Sequence, residues 1–292
     1  MNYLVYVAQG AAVYRGEALY SLLSYFEVAP PLLANVLIYT DAPDAFRRVL
    51  GSRPDVHYPA VSTADWKAWR GKFDMPYMLK INVLEHAATY YPGNLLFLDT
   101  DTIWQRDPTP IFEQIEQGVR FMHEDEGTLK DGSPLSRKIY RRLGGREFQA
   151  GATQVRISPE SKMYNSGAVG LRSQDAHVLH DVVQLADTLY ATYCKPVMEQ
   201  LACCTRFALD GPVQEVAPYA IHYWNVKVAR PLLVKLFDEY QGGSHADLLA
   251  RAHRIDLPGL QKTEMAYRTL PNWRRTLLKL VGRQYKEPRI QL

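Results

Sequence analysis

Along the first hundred residues, short continuous apolar runs alternate with longer segments of helical period, the pattern of strands buried on both faces with helices packed over them. Residues 3–8 (YLVYVA) form the first run and break at Gly10, residues 14–26 (YRGEALYSLLSYF) carry a helix, and Asn35 to Thr40 (NVLIYT) form a second strand ending on Asp41. This βαβ opening predicts a parallel sheet with helices on its faces. In such sheets ligands collect at the carboxyl ends of the strands. Ala8, Gln9, Gly10 and Asp41 fall at that edge and are candidate ligand contacts.

A helix from about Pro76, closed by Pro92-Gly93-Asn94, leads into the most polarised stretch of the chain, LLFLDTDTIW from Leu95 to Trp104. A buried-type run there ends abruptly on two carboxylates one residue apart. Alternation along a strand puts Asp99 and Asp101 on the same side, just past the sheet edge. Hard divalent cations take such oxygens, with a phosphate supplying further ligands. Arg70, Lys72 and Lys80 lie in or before the preceding helix and add a cluster of cations upstream of that site.

Beyond Asp101, RDPTPIFEQIE reads as a loop and short helix, and Val119 to His123 as a strand followed by Glu124, Asp125 and Glu126. Residues 127–160 lack a clean period and include the basic piece SRKIYRRLGGREF, which predicts an excursion from the sheet carrying binding determinants. Met163 to Leu171 (MYNSGAVGL) is a strand interrupted by small residues, where two glycines allow a ligand or another backbone close. Apolar positions 178, 179, 182, 183, 185, 186 and 189 mark a helix over 175–193. A second helix runs from about Pro196 through Phe207 with Glu199 and Gln200 in its first turn, where the helix dipole alone already favours a carboxylate. Strand-like VAPYAIHYW then leads to His222 and Lys227.

With 47% hydrophobic and 22% charged residues over 292 positions, the chain predicts a sizeable core and excludes disorder as its native state. The net charge of +3 is unevenly placed: from Lys262 to Leu292 there are eight Lys or Arg against two Glu. Basic character is thus a C-terminal property, which argues against nucleic acid as a partner. Three cysteines, two of them the adjacent Cys203 and Cys204, predict a reduced, cytoplasmic setting. The N-terminus reads as a first strand and not as a signal peptide, and no apolar run reaches bilayer-spanning length.

Taken in order, LFLDTDTIW, MYNSGAVGL, PVMEQLA and IHYWNVK resemble the motifs of GT-A nucleotide-sugar glycosyltransferases, most of all the retaining enzymes of glycosyltransferase family eight. The resemblance covers roughly residues 3–227. It implies a Rossmann-like mixed α/β sheet flanked by helices, with residues 1–235 as catalytic domain (127–160 on the acceptor side) and 236–292 as a helical, basic C-terminal extension. It further implies hexosyl transfer from a nucleoside-diphosphate donor, of UDP type, to a glycan or lipid-linked glycan. By similarity, Asp99, Asp101 and His222 bind Mn²⁺ or Mg²⁺, Asp99 with Thr100 also reaches the donor, and Lys80 and Lys227 contact it. Asn165, Ser166 and Gly167 line the sugar pocket, Gly167 leaving room at its floor. Glu199 hydrogen-bonds donor hydroxyls, and Gln200 lies beneath the anomeric carbon. An amide there is a poor nucleophile, which favours front-face retention; Glu199 facing the acceptor would instead serve as general base for inversion. The spacing from His222 to Lys227 is shorter than the family's, and Trp224 and Asn225 occupy a turn where the family has Gly.

Two other readings fit parts of the chain. Asp99-Thr100-Asp101-Thr102-Ile103 also resembles the nucleophile motif of haloacid-dehalogenase-type phosphohydrolases, in which the first Asp attacks phosphorus. That fold needs a further acidic pair downstream, and the stretch after Asp101 offers no G-D-x-x-x-D or D-D candidate on a strand end. A nonenzymatic sugar-nucleotide binder is the second alternative.

Residues 271–287 (PNWRRTLLKLVGRQYKE) place Trp273, Leu277, Leu280 and Val281 on one helical arc, with Arg275, Lys279, Arg283 and Lys286 opposite. This pattern predicts either a peripheral anchor on an anionic membrane, at its inner face for an enzyme acting on lipopolysaccharide core or a similar lipid-linked glycan, or a helix whose apolar arc packs on the catalytic domain.

Overall fold

The computed structural model describes residues 1–285. The chain opens with β1 (Asn2–Ala8), α1 (Ala12–Val28), β2 (Asn35–Thr40), α2 (Pro43–Leu50), β3 (Val56–His57), α3 (Thr63–Ala68), α4 (Met78–Tyr90) and β4 (Asn94–Leu98). It continues with β5 (Thr102–Trp104), α5 (Thr109–Glu116), β6 (Arg120–Met122), β7 (Asp125–Thr128), α6 (Pro134–Leu143), β8 (Glu147–Ala150), β9 (Thr153–Arg156), β10 (Lys162–Tyr164) and β11 (Ala168–Arg172). Then come α7 (His177–Thr192), α8 (Met198–Phe207), β12 (Val213–Glu215), β13 (Ala220–His222), α9 (Ala229–Asp238), α10 (His245–His253), α11 (Leu257–Arg268) and α12 (Asn272–Leu280).

Among the described residues, seven strands build the main sheet in the order β12-β6-β11-β4-β1-β2-β3. Strand β1 pairs in parallel with β2 and β4, whereas β11 runs antiparallel to both β4 and β6. The sheet is therefore mixed and flanked by helices on both faces. Alternation along the strands divides the core: Val5, Leu95 and Phe97 face the side covered by α4, α7 and α8, while Leu4, Leu96 and Leu98 face α1, α5 and α9. Helix α1 is buried over ten consecutive residues, Gly16 to Tyr25, because it lies between the sheet and α9. A Cβ on Gly16 would stand 3.1 Å from the Val234 backbone nitrogen, so glycine permits that approach.

The direction of β11 sets the site. A parallel strand would bring its carboxyl end to the edge where β1, β2 and β4 finish; the antiparallel β11 brings its beginning there instead. Ala168 faces Leu98, and the Asp99 amide donates to the Gly167 carbonyl at 2.8 Å. The segment expected as one interrupted strand is two, β10 pairing with β7 and β11 joining the sheet, with Asn165-Ser166-Gly167 as the break. The acidic motif is likewise not an extended strand end. The chain turns at Asp99–Asp101 and leaves the sheet as β5, which pairs antiparallel with β13.

Residues 127–160 contain more structure than their missing period implied: α6 and the β8–β9 hairpin bury Ile139, Leu143, Phe148 and Val155 in the core beside α7. The segment from 236 onward also shares the core at first, since Leu248, Leu249, Ala252 and Leu257 join the cluster around Leu4 and Leu96. Helix α12 differs, with no buried residue and with Trp273 63% and Leu280 79% exposed. Lys286 lies outside the described residues. Among the described residues no helix is long and apolar enough to cross a membrane.

Candidate active site

A cavity of ≈ 600 Å³ opens at the carboxyl edge of the sheet, within the range of about 300–1,000 Å³ usual for small-molecule sites. Asp99, Thr100 and Asp101 form its floor between β4 and β5, and Asn165, Ser166 and Gly167 come from the β10–β11 break. Lys80 enters from α4, Glu199 and Gln200 from α8, His222 from the end of β13 and Arg230 from α9.

Backbone pairing brings the third candidate ligand to the first two. His222 faces Thr102 across the β5–β13 ladder, and the next amide, that of Tyr223, donates to the Asp101 carbonyl at 2.9 Å. The His222 Nε2 then stands 3.0 Å from Asp101 Oδ1 and 3.8 Å from Asp99 Oδ2. One ligand atom from each of the three residues lies within 4.8 Å of the others.

The imidazole is held in a defined orientation. Asn165 Oδ1 already accepts from the Gly167 amide at 2.8 Å, and Asn165 Nδ2 donates to Glu126 at 3.2 Å, so the nearby His222 Nδ1–H donates to Asn165 Oδ1 at 2.9 Å. That leaves Nε2 as the atom facing the carboxylates, the arrangement by which an outer hydrogen bond fixes a metal-binding tautomer. Burial disfavours the imidazolium, but the Asp101 carboxylate outweighs it and His222 titrates above its ordinary value; burial raises and His222 lowers Asp101, with a net downward shift. Two carboxylates and a neutral imidazole nitrogen are a suitable donor set for Mn²⁺ or Mg²⁺, so the residues present fit a divalent ion.

Three cations line the cavity; Arg70 is paired with Asp74, and the other two meet the acidic turn. Buried Lys80 donates to Asp99 Oδ2 at 3.0 Å and to the Ser166 carbonyl at 2.8 Å; burial lowers its pKa, yet Asp99 and Glu199 outweigh that and leave it raised. Arg230 donates to Glu17 Oε1 at 2.8 Å and to Asp101 Oδ2 at 3.4 Å. Glu17, buried in α1, also accepts from Thr100 at 3.2 Å; burial, then the Asp101 charge, push it up to about 7 against the pull of Arg230. A buried hydroxyl chain supports the same turn from below: Tyr6 meets Ser21 at 2.8 Å, Ser21 meets Thr102 at 2.8 Å, and Thr102 donates to the Asp99 carbonyl at 2.9 Å.

On the opposite wall Glu199 accepts from the Ser166 hydroxyl at 3.2 Å, and burial raises its pKa more than Lys80 lowers it. Gln200 donates to Glu126 Oε2 at 2.9 Å. One carboxylate thus orients both Asn165 and Gln200.

Of the expected donor contacts, Gln9 lines the cavity; Gly10, at φ +85°, caps the β1 turn by donating to Asp41 at 3.0 Å, and Ala8 is buried at the strand end. Lys227 is exposed and lies outside the cavity wall, while Arg230, three residues on, is in it. The space over Gly167 is filled by the His222 ring. Glu17, Glu126 and Arg230 escaped the sequence reading of the site. A lone carboxylate in the apolar run GEALYSLL was the available signal for Glu17.

No protein-family model matches the chain, and no curated protein matches it. Solved structures do. The galactosyltransferase LgtC in complex with donor and acceptor sugar analogs is 12% identical with a TM-score of 0.48, over 71% of this chain and 70% of that one. Mouse xyloside xylosyltransferase 1 is 13% identical with a TM-score of 0.47, over 74% of this chain and 85% of that one. The bifunctional glycosyltransferase WbbM is 11% identical with a TM-score of 0.49; the match spans 96% of this chain but about half, 51%, of that one.

Proposed function

We propose that this chain is a metal-dependent glycosyltransferase that moves a hexosyl group from a nucleoside-diphosphate donor, of UDP type, to a glycan or lipid-linked glycan with retention of configuration. The observation that carries the reading is the Asp99–Asp101–His222 cluster in one cavity with Lys80 and Arg230, facing the Asn165–Gly167 and Glu199–Gln200 wall. Glycosyl transfer needs that combination: stabilisation of a departing diphosphate on one side and a polar pocket for the sugar on the other. When bound to Asp99, Asp101 and His222, Mn²⁺ or Mg²⁺ supplies Lewis-acid neutralisation of the diphosphate.

The remaining work falls to the chain. Arg230 and Lys80 offer N–H donors to phosphate oxygens, and Asn165, Ser166 and Glu199 meet donor hydroxyls. Gln200, fixed by Glu126, lies under the reacting carbon as a neutral amide. In the proposed step the bond from the anomeric carbon to the diphosphate oxygen breaks and the acceptor oxygen bonds to that carbon on the same face. The acceptor proton passes to the departing phosphate oxygen. A phosphohydrolase reading is not favoured, because the third group beside the Asp pair is His222 and not a further acidic pair. In the same reading the enzyme works in the cytoplasm and rests on an anionic membrane through the exposed arc of α12.

The test is release of nucleoside diphosphate from a panel of nucleotide sugars with and without Mn²⁺. Mn²⁺-dependent release that vanishes in Asp101→Ala supports transfer. Phosphate release from simple phosphoesters, with no nucleotide-sugar turnover, overturns it.

A further inference from the structure

Trp224 sits two residues beyond His222, in the turn between β13 and α9, and lines the cavity while 42% exposed. A lone exposed aromatic is ordinary on a protein surface. This one is clamped. From α11, the Arg268 guanidinium lies over the indole with its carbon 5.6 Å from the ring centroid, and Arg268 Nε donates to Glu264 at 2.7 Å. Glu264 in turn accepts from Asn225 at 3.2 Å, and Gln261 donates to the His222 carbonyl. Tyr223, Asn225 and Val226 on either side of the indole are buried. The ring is therefore fixed by the C-terminal helix while part of it remains open to the cavity.

In the transferase reading the donor sugar has its own polar wall at Asn165 and Glu199, and Lys80 and Arg230 meet the diphosphate. Trp224 comes from a different element, the turn between β13 and α9, and shares that part of the lining with Arg230 of α9. An aromatic face is electron-rich at its centre and attracts the polarised C–H bonds on the apolar face of a pyranose; holding the ring rigid lowers the entropy lost on binding.

We propose that Trp224, held by Arg268 and Glu264, is the platform on which a pyranose ring of the acceptor stacks. The proposal rests on the transferase reading for the ring's role as acceptor. It makes α11 part of the recognition site.

The probes are methyl α- and β-glycosides of glucose, galactose and N-acetylglucosamine, added to the full chain with diamagnetic Mg²⁺ and UDP and followed by saturation-transfer NMR. At least one glycoside should receive saturation through its C–H protons. Binding should weaken roughly tenfold in Trp224→Ala, the size of one lost stacking contact, recover in Trp224→Phe, and weaken in part in Arg268→Ala. No glycoside signal in the wild type, an unchanged signal in Trp224→Ala, or loss of the UDP base signal in place of the glycoside signal overturns the platform. Thermal stabilisation by UDP and Mg²⁺, read on the same wild-type sample, separates the two claims. Stabilisation without glycoside contact removes the platform alone; glycoside contact at Trp224 without stabilisation or nucleotide-sugar turnover removes the transferase reading and leaves a sugar-binding surface.

Discussion

Gly167 lies directly against His222: a Cβ added to the glycine would stand 2.2 Å from the imidazole Nδ1 and 2.9 Å from the Asn165 Oδ1 that accepts its proton. The missing side chain is occupied space, filled by the ring that completes the Asp99–Asp101–His222 cluster. Three motifs distant in sequence are thereby locked into one arrangement, because the glycine, the asparagine and the histidine must all be in place for Nε2 to face the carboxylates.

Gly167→Ala should therefore displace His222 and weaken divalent-ion binding by roughly 10–100-fold, the usual cost of disturbing an outer contact of a metal-binding histidine. Counting free Mn²⁺ by electron paramagnetic resonance during a titration checks this without any assay of turnover. Wild-type affinity in the alanine variant would show that the ring is free to shift and that its contact with Gly167 does not matter.

Arg230, not Lys227, is expected to serve the diphosphate. Loss of a charge-assisted hydrogen bond costs about 1.5–3 kcal/mol, or roughly 10–100-fold, so Arg230→Ala should lower kcat/KM for the nucleotide sugar by that factor while Lys227→Ala stays within about twofold. Arg230→Ala also leaves buried Glu17 without its ion-pair partner. Pairing it with Glu17→Gln should restore thermal stability without restoring kcat/KM. Equal losses in Arg230→Ala and Lys227→Ala would return the role to the lysine.

These relationships show which parts of the molecule could be read from the chain. The strands were legible as apolar runs because both sheet faces are covered, and the acidic turn was legible because the Leu95–Leu98 run stops so sharply. The reversed direction of β11 was not, since Ala168–Arg172 reads alike in either direction and only long-range pairing decides. Arg230 meets Asp101 across 129 positions and Glu17 across 213, and nothing local to RPLL announces either contact. The elements within 127–160 were hidden by their size, since hairpin strands of four residues with two buried positions in β8 and one in β9 carry too few apolar positions to form a period.

His123 should make the protein sensitive to acid. Its ring is buried, its Nε2 contacts the Ala220 carbonyl at 3.0 Å, and burial followed by the His222 charge pulls its pKa down to about 4. A depressed folded pKa means that the unfolded chain binds the extra proton first, so stability is full above the ordinary value near 6.5 and falls as the pH drops towards 4. The loss between pH 7.5 and pH 5 from this group is about 2 kcal/mol. Melting temperatures of metal-free protein across that range should fall less steeply in His123→Gln, whose amide can still donate to Ala220. Parallel slopes in the two proteins would remove His123 as the cause.

Helix α12 should bind anionic membrane. Trp273, Leu277, Leu280 and Val281 are all more than half exposed, and the helical period puts Arg275 and Lys279 across from Trp273, Leu277 and Leu280. An apolar arc left uncovered by the described residues enters the boundary between headgroups and acyl chains, while each nearby cation contributes about 1 kcal/mol on a negatively charged surface. The full chain should sediment with vesicles containing phosphatidylglycerol and not with pure phosphatidylcholine, and added salt should release it as the charges are screened. Arg275→Ala with Lys279→Ala should weaken binding roughly thirtyfold, the equivalent of two such cations. Trp273→Ser with Leu280→Ser should abolish the fraction that survives high salt. Equal sedimentation with both vesicle types, or unchanged binding in both double variants, would leave the exposed arc without a membrane role.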